Sequence, residues 1–434
     1  MILLEKLNLR KNVITTVVAF FLNIILTFLG YKLLLNKEGI EVLGLWSILT
    51  AAIFIIRIGD VGMGSSAERH VALVSIESSA SKLKSYLDTA LIINIVLFLC
   101  LSIVGYFVFS SNIELIVPEN TEFQKKAQEI LPIMFFTFFI SNVANVVLGG
   151  IRGLHLGYIA AYISIFSNCV QLLLFIFLVP ILGVKGLAIG QLVQNLVLII
   201  MAWTVVSFQL KKYINISVFK INFSKTIFKE LFNFSVKAQS INILNGIFEP
   251  ISKFLIGHTA GMSALGLYEL AYKIVSLPRN AVVSGVMGTM PVVTRLFSED
   301  QKMARDIYIK TKSLVSKVTT AIMFLVMVGS PLASYILLDN INYQLIWYVV
   351  ILALGFTINS IGSPAYTLGF STAKMKGNFI ASCLSLTALL IVSIWGLFFL
   401  PDYASVIASG IGLAISGMYV LIHNEKILGL NNHG

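Results

Sequence analysis

The chain has 434 residues, of which 57% are hydrophobic and only 12% charged. Soluble domains carry about 25% charged residues, so this composition excludes a soluble enzyme or soluble binding module and indicates an integral membrane protein. The formal net charge of +11 would suit a nucleic acid partner, but the placement of the charges gives it another origin, and no nucleic acid is expected.

Twelve apolar runs approach or exceed the roughly 20 residues that cross a bilayer. They lie near 12–35, 42–64, 86–109, 128–150, 158–181, 184–208, 234–257, 265–291, 314–338, 344–370, 378–400 and 403–423. The opening MILLEKLNLRKN lacks a cleavage pattern, so the first run is expected to remain as a span. Cys100, Cys169 and Cys383 all fall inside apolar runs. They suggest no disulfide framework and read as small core residues.

Alternate connections separate by charge. One set contains Lys6, Arg10 and Lys11, Arg69 to Lys84, Arg152, six lysines from Lys211 to Lys237, Arg295 to Lys317, Lys374, Lys376 and Lys426. The other contains only Lys37, Lys125, Lys126 and Lys185, a ratio of 22 to 4. Cytoplasmic loops are enriched in Lys and Arg, so both termini and the first set are expected on the cytoplasmic side. Most of the positive charge is therefore topology.

The longest polar interruption, about 209–233, divides the chain into a six-helix lobe at 1–210, a cytoplasmic basic amphipathic linker at 211–233 and a second six-helix lobe at 234–434. Phe219, Phe223, Ile227, Phe228, Leu231 and Phe232 recur at helical spacing with Lys220, Lys225 and Lys229 between them. That pattern fits a helix on the inner leaflet and equally a solvated linker.

The two lobes read as a duplication. Leu43-Gly44-Leu45-Trp46 aligns with Leu265-Gly266-Leu267-Tyr268, and the same 222-residue offset places Asn23 on Asn245 and Arg57 on Arg279. An even number of spans per repeat makes both repeats enter from one side, with a pseudo-two-fold axis along the membrane normal.

The run Leu265–Pro291 is long enough to cross but carries Glu269, Lys273 and Arg279, with Pro278 beside the arginine. Each charge at the bilayer centre costs about 2.5–3.5 kcal/mol on insertion scales, so these side chains need a polar interior. Proline removes a backbone donor and should bend the helix there. Arg57 and Asp60, Glu249 and Lys253, and Glu269 and Lys273 stand three or four apart, the spacing of ion pairs on one helix face. Such pairs either neutralise themselves for insertion or work in transport; the spacing fits both. Arg279 has no acidic neighbour one turn away and is the leading candidate for a bound anion, because a guanidinium donates two parallel hydrogen bonds and stays charged when desolvated. Arg57 would reach the same central cavity from the other lobe. With Lys32, these residues make five cations and three anions, a net-positive cavity that favours an anionic substrate.

Pro250, Pro278 and Pro364 interrupt spans of the second lobe, whereas Pro132 and Pro180 sit at span ends in the first. The second lobe is thus expected to bend and to grip the substrate. Uncharged polar residues cluster at Asn142 and Asn145, at Gln191, Gln194 and Asn195, and at Asn242 and Asn245. They fit glycan contacts in a hydrated lumen, or hydrogen bonds between packed helices. No phosphate-binding loop, metalloprotease helix or Cys/His metal spacing occurs, so no enzyme, cofactor or metal is expected.

The segments LGLWSILTAAIFIIRIGDVGMGSSAERHVA, LGLYELAYKIVSLPRNAV and GVKGLAIGQLVQN resemble the polysaccharide-exporter branch of the multidrug/oligosaccharidyl-lipid/polysaccharide superfamily, closest to O-antigen (Wzx-type) flippases. The resemblance covers essentially the whole chain. It implies a multi-pass protein of the bacterial inner membrane that moves undecaprenyl-pyrophosphate-linked oligosaccharide to the periplasmic leaflet by alternating access. Such proteins serve O-antigen, lipopolysaccharide or related polysaccharide biosynthesis, alongside other assembly proteins. On that resemblance Arg57, Lys253, Lys273 and Arg279 would hold the pyrophosphate, and Asp60, Glu249 or Glu269 could be the coupling carboxylate. A cation-coupled multidrug exporter of the same superfamily is the main alternative, followed by a membrane glycan polymerase or ligase.

Overall fold

The computed structural model describes residues 9–59, 62–76, 80–118, 121–154, 156–214, 223–287, 290–372 and 374–429. All its regular elements are helices, as the hydrocarbon core demands: every backbone N–H and C=O must be satisfied within the chain, and only helices or closed barrels do this. Large apolar side chains are turned outward along the long helices, among them Phe107, Phe177, Leu325 and Trp395. In water this would be a severe exposed patch; in lipid it is the solvated surface.

The chain separates into two compact units. Unit 1 is Met1–Gly39 with Ala52–Asn242, and unit 2 is Ile40–Ala51 with Ile243–Gly434. The exchanged segment, Ile40–Ala51, was assigned by sequence to the first lobe; it groups with the second.

Unit 1 contains α1 (Leu9–Glu38), α3 (Met63–Ile76), α4 (Ala80–Ser111), the short α5 (Ile113–Ile116), α6 (Thr121–Gly153), α7 (Gly157–Leu182) and α8 (Val184–Ile214). α6 packs against α3, α4 and α8, and α7 packs against α1 and α8. Glu38, at the end of α1, accepts from the Val184 backbone N–H at the start of α8 at 2.6 Å and pairs with Lys126 at 3.0 Å. It thereby satisfies one of the donors a helix leaves open at its start.

The helix α9 (Lys225–Thr259) begins in unit 1 and ends in unit 2. Residues 211–214 of the expected linker are the end of α8, and its residues from Lys225 on are the first turns of α9. Leu231 is fully buried in the unit 1 core and Ile227 packs beside it, while Phe223 and Phe232 stay exposed. The Tyr86 hydroxyl donates to Glu230, and the Ser224 N–H donates to Thr89 Oγ1. This end of α9 is docked on unit 1; residues 215–222 of the linker lie outside the described residues.

Unit 2 contains most of α2 (Ile40–Ile56), then α10 (Gly261–Met287), α11 (Met290–Glu299), α12 (Gln301–Leu338), α13 (Tyr343–Ile361), α14 (Ser363–Ser371), α15 (Lys376–Gly396) and α16 (Pro401–Asn424). α13 packs between α10, α12 and α16, and α15 packs on α16.

The duplication is visible in the backbone. Gly39 and Gly261, 222 residues apart, stand at the starts of α2 and α10, the first just before its helix and the second as its first residue, with φ of +84° and +83°, a region only glycine enters without strain. One turn on, a Cβ on Gly44 would overlap the Met262 carbonyl oxygen, and a Cβ on Gly266 would overlap the Ile40 carbonyl oxygen. Met262 and Ile40 are themselves related by the same offset, so the contact is reciprocal, as across a two-fold axis. Two small residues allow the backbones of α2 and α10 to touch.

Among the described residues, nine helices are long and apolar enough to cross a membrane. The twelve-span reading adds α2, α9 and α10, of which α2 has only 17 residues and the other two carry the charges described below. Two expected spans are not continuous. The run 42–64 stops at Ile56 and passes through a 3₁₀ turn, Arg57–Gly59. The run 344–370 breaks at Gly362, immediately before Ser363 and Pro364. α10, in contrast, stays helical through Pro278, although that residue leaves the Ile274 carbonyl without its helical donor.

The cysteines correct one expectation. Cys100 and Cys169 are exposed on α4 and α7 and Cys383 is half-buried; they are not core residues. An apolar helix face pointing at lipid and one pointing at the core have the same composition, so the sequence could not separate them.

Candidate functional site

Three helices that are marginal as membrane spans share a charged cluster in unit 2. Lys253 of α9 lies 2.6 Å from Glu249 and 2.7 Å from Glu269 of α10. Lys273 lies 3.8 Å from Glu249 and 3.7 Å from Glu269. Ser47 of α2 donates to Glu269 at 2.7 Å; donor and acceptor are again 222 residues apart. The two i,i+4 pairs seen in sequence are therefore one alternating network of two cations and two anions. Lys253 and Glu269 are almost fully buried, at 4% and 2% side-chain exposure, while Glu249 and Lys273 keep about a third of theirs, at 31% and 27%. The charges cancel within the cluster. Desolvating them is expensive, but each is matched, and removing one member would strand its partner.

Arg279 stands apart. It lies six residues beyond Lys273 on α10, about 9 Å along the axis at 1.5 Å per residue. Its Nη2 donates to Asn359 Oδ1 at 2.7 Å and its Nη1 to Asn280 Oδ1 at 3.1 Å. The Phe356 ring lies 5.7 Å from the guanidinium carbon, within cation–π range. Asn359 is held in turn by its Nδ2, which donates to the Leu413 carbonyl at 3.2 Å; that bond presents the amide oxygen to the arginine. A guanidinium has five N–H donors, so several remain unspent, and Nε is buried with no partner among the described residues.

Arg279 lines a cavity of about 270 Å³ built by α9, α10, α13, α14, α15 and α16. Among the described residues, Arg279 is the one charged residue in its lining, and no acidic side chain borders it. Ser363, Ser385 and Ser416 also line it, together with the aromatic residues Phe248, Tyr272 and Phe356. Tyr272 and Phe356 pack edge to face with centroids 5.5 Å apart. The cavity lies below the roughly 300–1,000 Å³ of sites for drug-sized ligands. It has room for a small anionic group and not for an oligosaccharide.

The other predicted residues are dispersed. Arg57 opens the 3₁₀ turn after α2 and belongs to unit 1. Asp60 lies outside the described residues. Asn142 is buried and donates to the Phe138 carbonyl of its own helix at 2.7 Å, whereas Asn145 is exposed. Gln194 donates to Asn168 of α7 at 3.2 Å, and Asn195 donates to Gln194 Oε1 and the Gln191 carbonyl at 3.0 and 2.8 Å. These amides satisfy one another and the helix backbone. Asn242 and Asn245 sit on α9, but their side chains lie outside the described residues. Sequence reasoning missed Ser47, Phe356, Asn359 and Ser363. The 222-residue offset could have found Ser47; single polar or aromatic residues in apolar helices carry no spacing signal.

This architecture is known from solved structures. The chain superposes on an inward-facing multidrug resistance MATE family transporter of the MOP superfamily with a TM-score of 0.84, covering 94% of each chain at 15% identity. The outward-facing form of such a transporter gives 0.74, at 14% identity over 98% of this chain and 96% of the other. A MOP superfamily transporter from Pyrococcus furiosus, described as having a binding pocket of reverse polarity that suggests a different function, gives 0.73 at 15% identity, over 96% and 95%. The protein thus has the multi-pass, two-lobed fold of MOP-superfamily transporters. No curated protein matches the sequence. A family profile does: residues 70–341 match the profile described as "Polysaccharide biosynthesis protein". The chain belongs to that family.

Proposed function

We propose that this protein is a lipid-linked oligosaccharide flippase. It moves undecaprenyl-pyrophosphate-linked O-antigen or similar repeat units from the cytoplasmic to the periplasmic leaflet of a bacterial inner membrane, through twelve spans with both termini cytoplasmic. The observation that carries this reading is Arg279: a fixed cation with unspent donors, in a cavity with no carboxylate among its described lining residues. Desolvated in such a site, arginine favours a phosphate by charge and by bidentate geometry. The family's assignment to polysaccharide biosynthesis supplies a substrate class that carries such a group. Arg57, Lys253 and Lys273 are further anion contacts in this reading, but both lysines already serve Glu249 and Glu269, so Arg279 ranks first.

The rival reading is a cation-coupled multidrug exporter, supported by the description of the fold neighbours. A cationic drug needs a carboxylate that is not already neutralised. In unit 2, Glu249 and Glu269 are each matched by Lys253 and Lys273. The description of the Pyrococcus furiosus transporter is a precedent for a change of pocket polarity within this fold. The fold neighbours described above are transporters, which favours a transporter over a glycan polymerase or ligase.

The test is reconstitution. Purified protein in liposomes should move an undecaprenyl-pyrophosphate-linked oligosaccharide to the opposite leaflet, read by lectin accessibility, and should leave a cationic dye gradient unchanged. Dye export without oligosaccharide movement would move the exporter to first place.

A further inference from the structure

A second cavity in unit 2, of about 520 Å³, lies between the first half of α12, the end of α13 and the 3₁₀ turn Glu425–Leu428 that follows α16. Its α12 wall is two rows at four-residue spacing, Tyr308, Lys312 and Ser316 beside Ile309, Ser313 and Lys317, which are neighbours on one helix face. Glu425 stands across from them. It accepts from the Tyr308 hydroxyl at 2.7 Å and pairs with Lys312. One carboxylate thus serves two donors. An ammonium has three N–H donors, so Lys312 keeps two. Lys317 is exposed and makes no ion pair among the described residues, and Ser313 and Ser316 make no hydrogen bond among them. The described lining carries two cations against one anion.

The depth of this cavity matters as much as its charge. α12 ends at Leu338, followed by Asp339 and Asn340. About 20 helical residues, or roughly 30 Å, cross the hydrocarbon core, so its opposite edge falls near Val318. Lys317 stands at that edge and Lys312 about 7.5 Å further out, at the depth of a headgroup layer about 5–8 Å thick. The wall is open to lipid as well: Ile309 is 45% exposed, and Leu314, next to Ser313, is 63% exposed.

We propose that this cavity binds the headgroup of an anionic phospholipid, from the leaflet on the side of the Lys- and Arg-rich connections. Basic pockets between spans on that side take such headgroups. Lys317 and the free donors of Lys312 hold the phosphodiester, whose single negative charge matches the net charge of the lining. Ser313 and Ser316 suit the hydroxyls of a glycerol headgroup, and the acyl chains lie along Leu314 and Val318. Glu425 fixes Lys312 in place. The site is separate from the Arg279 cavity and does not depend on what the protein transports.

Full-length protein in detergent, stripped of co-purifying lipid, is titrated with phosphatidylglycerol or phosphatidylcholine, and bound lipid is counted by native mass spectrometry. Wild type should hold one phosphatidylglycerol that phosphatidylcholine does not replace. Lys317→Gln should weaken it about fivefold, the worth of one lysine against anionic lipid, and Lys317→Arg should keep most of the affinity. Because Lys317→Gln strands no charge, the melting midpoint without lipid should not move. Lys310→Gln, exposed on the same helix but outside the cavity, should leave affinity unchanged. An equal loss in Lys310→Gln would show diffuse attraction to the surface and overturn the proposal. Wild-type affinity in Lys317→Gln, or equal affinity for phosphatidylcholine, would overturn it as well. Displacement of phosphatidylglycerol by equimolar undecaprenyl pyrophosphate would assign the cavity to an isoprenoid pyrophosphate instead.

Discussion

α2 and α10 are the same helix built twice and then put to different use. Each has a left-handed glycine at its start and a second glycine about one turn later, and these second glycines meet the backbone carbonyls of Met262 and Ile40, themselves repeat mates. Chemistry is not repeated with the scaffold. Glu269 and Lys273 of α10 correspond to Ser47 and Ala51 of α2, and Glu249 and Lys253 of α9 correspond to Thr27 and Tyr31 of α1. Among the described residues the charges of the cluster therefore belong to the second repeat, and the first contributes the Ser47 hydroxyl to it. Arg57 and Arg279 are the exception, a charge kept in both copies. A duplicated scaffold tolerates divergence wherever packing does not depend on the side chain; backbone contact at Gly44 and Gly266 leaves no such freedom.

Substitutions can break this comparison, and the largest effect should come from its most asymmetric part. Lys253→Met leaves Glu249 and Glu269 facing each other in the membrane, with Lys273 about a full ångström further away than Lys253 was from each. Stranding a buried charge typically costs about 3–5 kcal/mol, read as a lower denaturation midpoint of the detergent-solubilised protein. Tyr31→Phe, at the mate position, strands no charge and should cost less than Lys253→Met. Equal losses at both positions would mean that the cluster is not special to the second repeat.

The scaffold predicts equality instead. Gly44→Ala and Gly266→Ala each push a Cβ into a backbone carbonyl oxygen of the opposite helix, which must move; overpacking of this kind costs about 1–3 kcal/mol. The two losses should agree within about 0.5 kcal/mol in the same denaturation assay. A large loss at only one glycine would show that the reciprocal contact is not shared. Smaller still should be the effect of Asn359→Ala. It removes one hydrogen bond to the guanidinium and should lower glycan export several-fold without abolishing it, since Arg279 keeps Asn280 and Phe356. Unchanged export would mean that the alignment of the guanidinium is not used.

Much of this was legible in the sequence. Long apolar runs fixed an all-helical membrane fold, and i,i+4 spacing found both Glu–Lys pairs. Spacing along one helix cannot show which faces of two helices meet, however, so the merger of those pairs around Lys253 was hidden. The repeat offset paired Gly44 with Gly266, yet a match of four residues does not show that the mates touch. Pro364 announced a break in the tenth run but not the helix start behind it, because a proline inside an apolar run fits a kink and a restart equally. Pro278 shows the other outcome, since the helix continues through it. Asn359 and Ser363 carry no pattern; they matter because packing places them beside Arg279.

The central claim is that Arg279 anchors the anionic end of a lipid-linked glycan. It is tested most directly by comparing Arg279→Ala, Arg279→Lys and Arg57→Ala in cells lacking the native copy, with surface glycan and lipid-linked precursor measured at matched protein levels. Loss of surface glycan and accumulation of precursor are expected for Arg279→Ala. Arg279→Lys should recover part of the export, because lysine keeps the charge but loses the planar fork. Arg57→Ala should fall short of the Arg279→Ala defect, since Arg57 does not line the cavity. Normal surface glycan in Arg279→Ala would contradict the account.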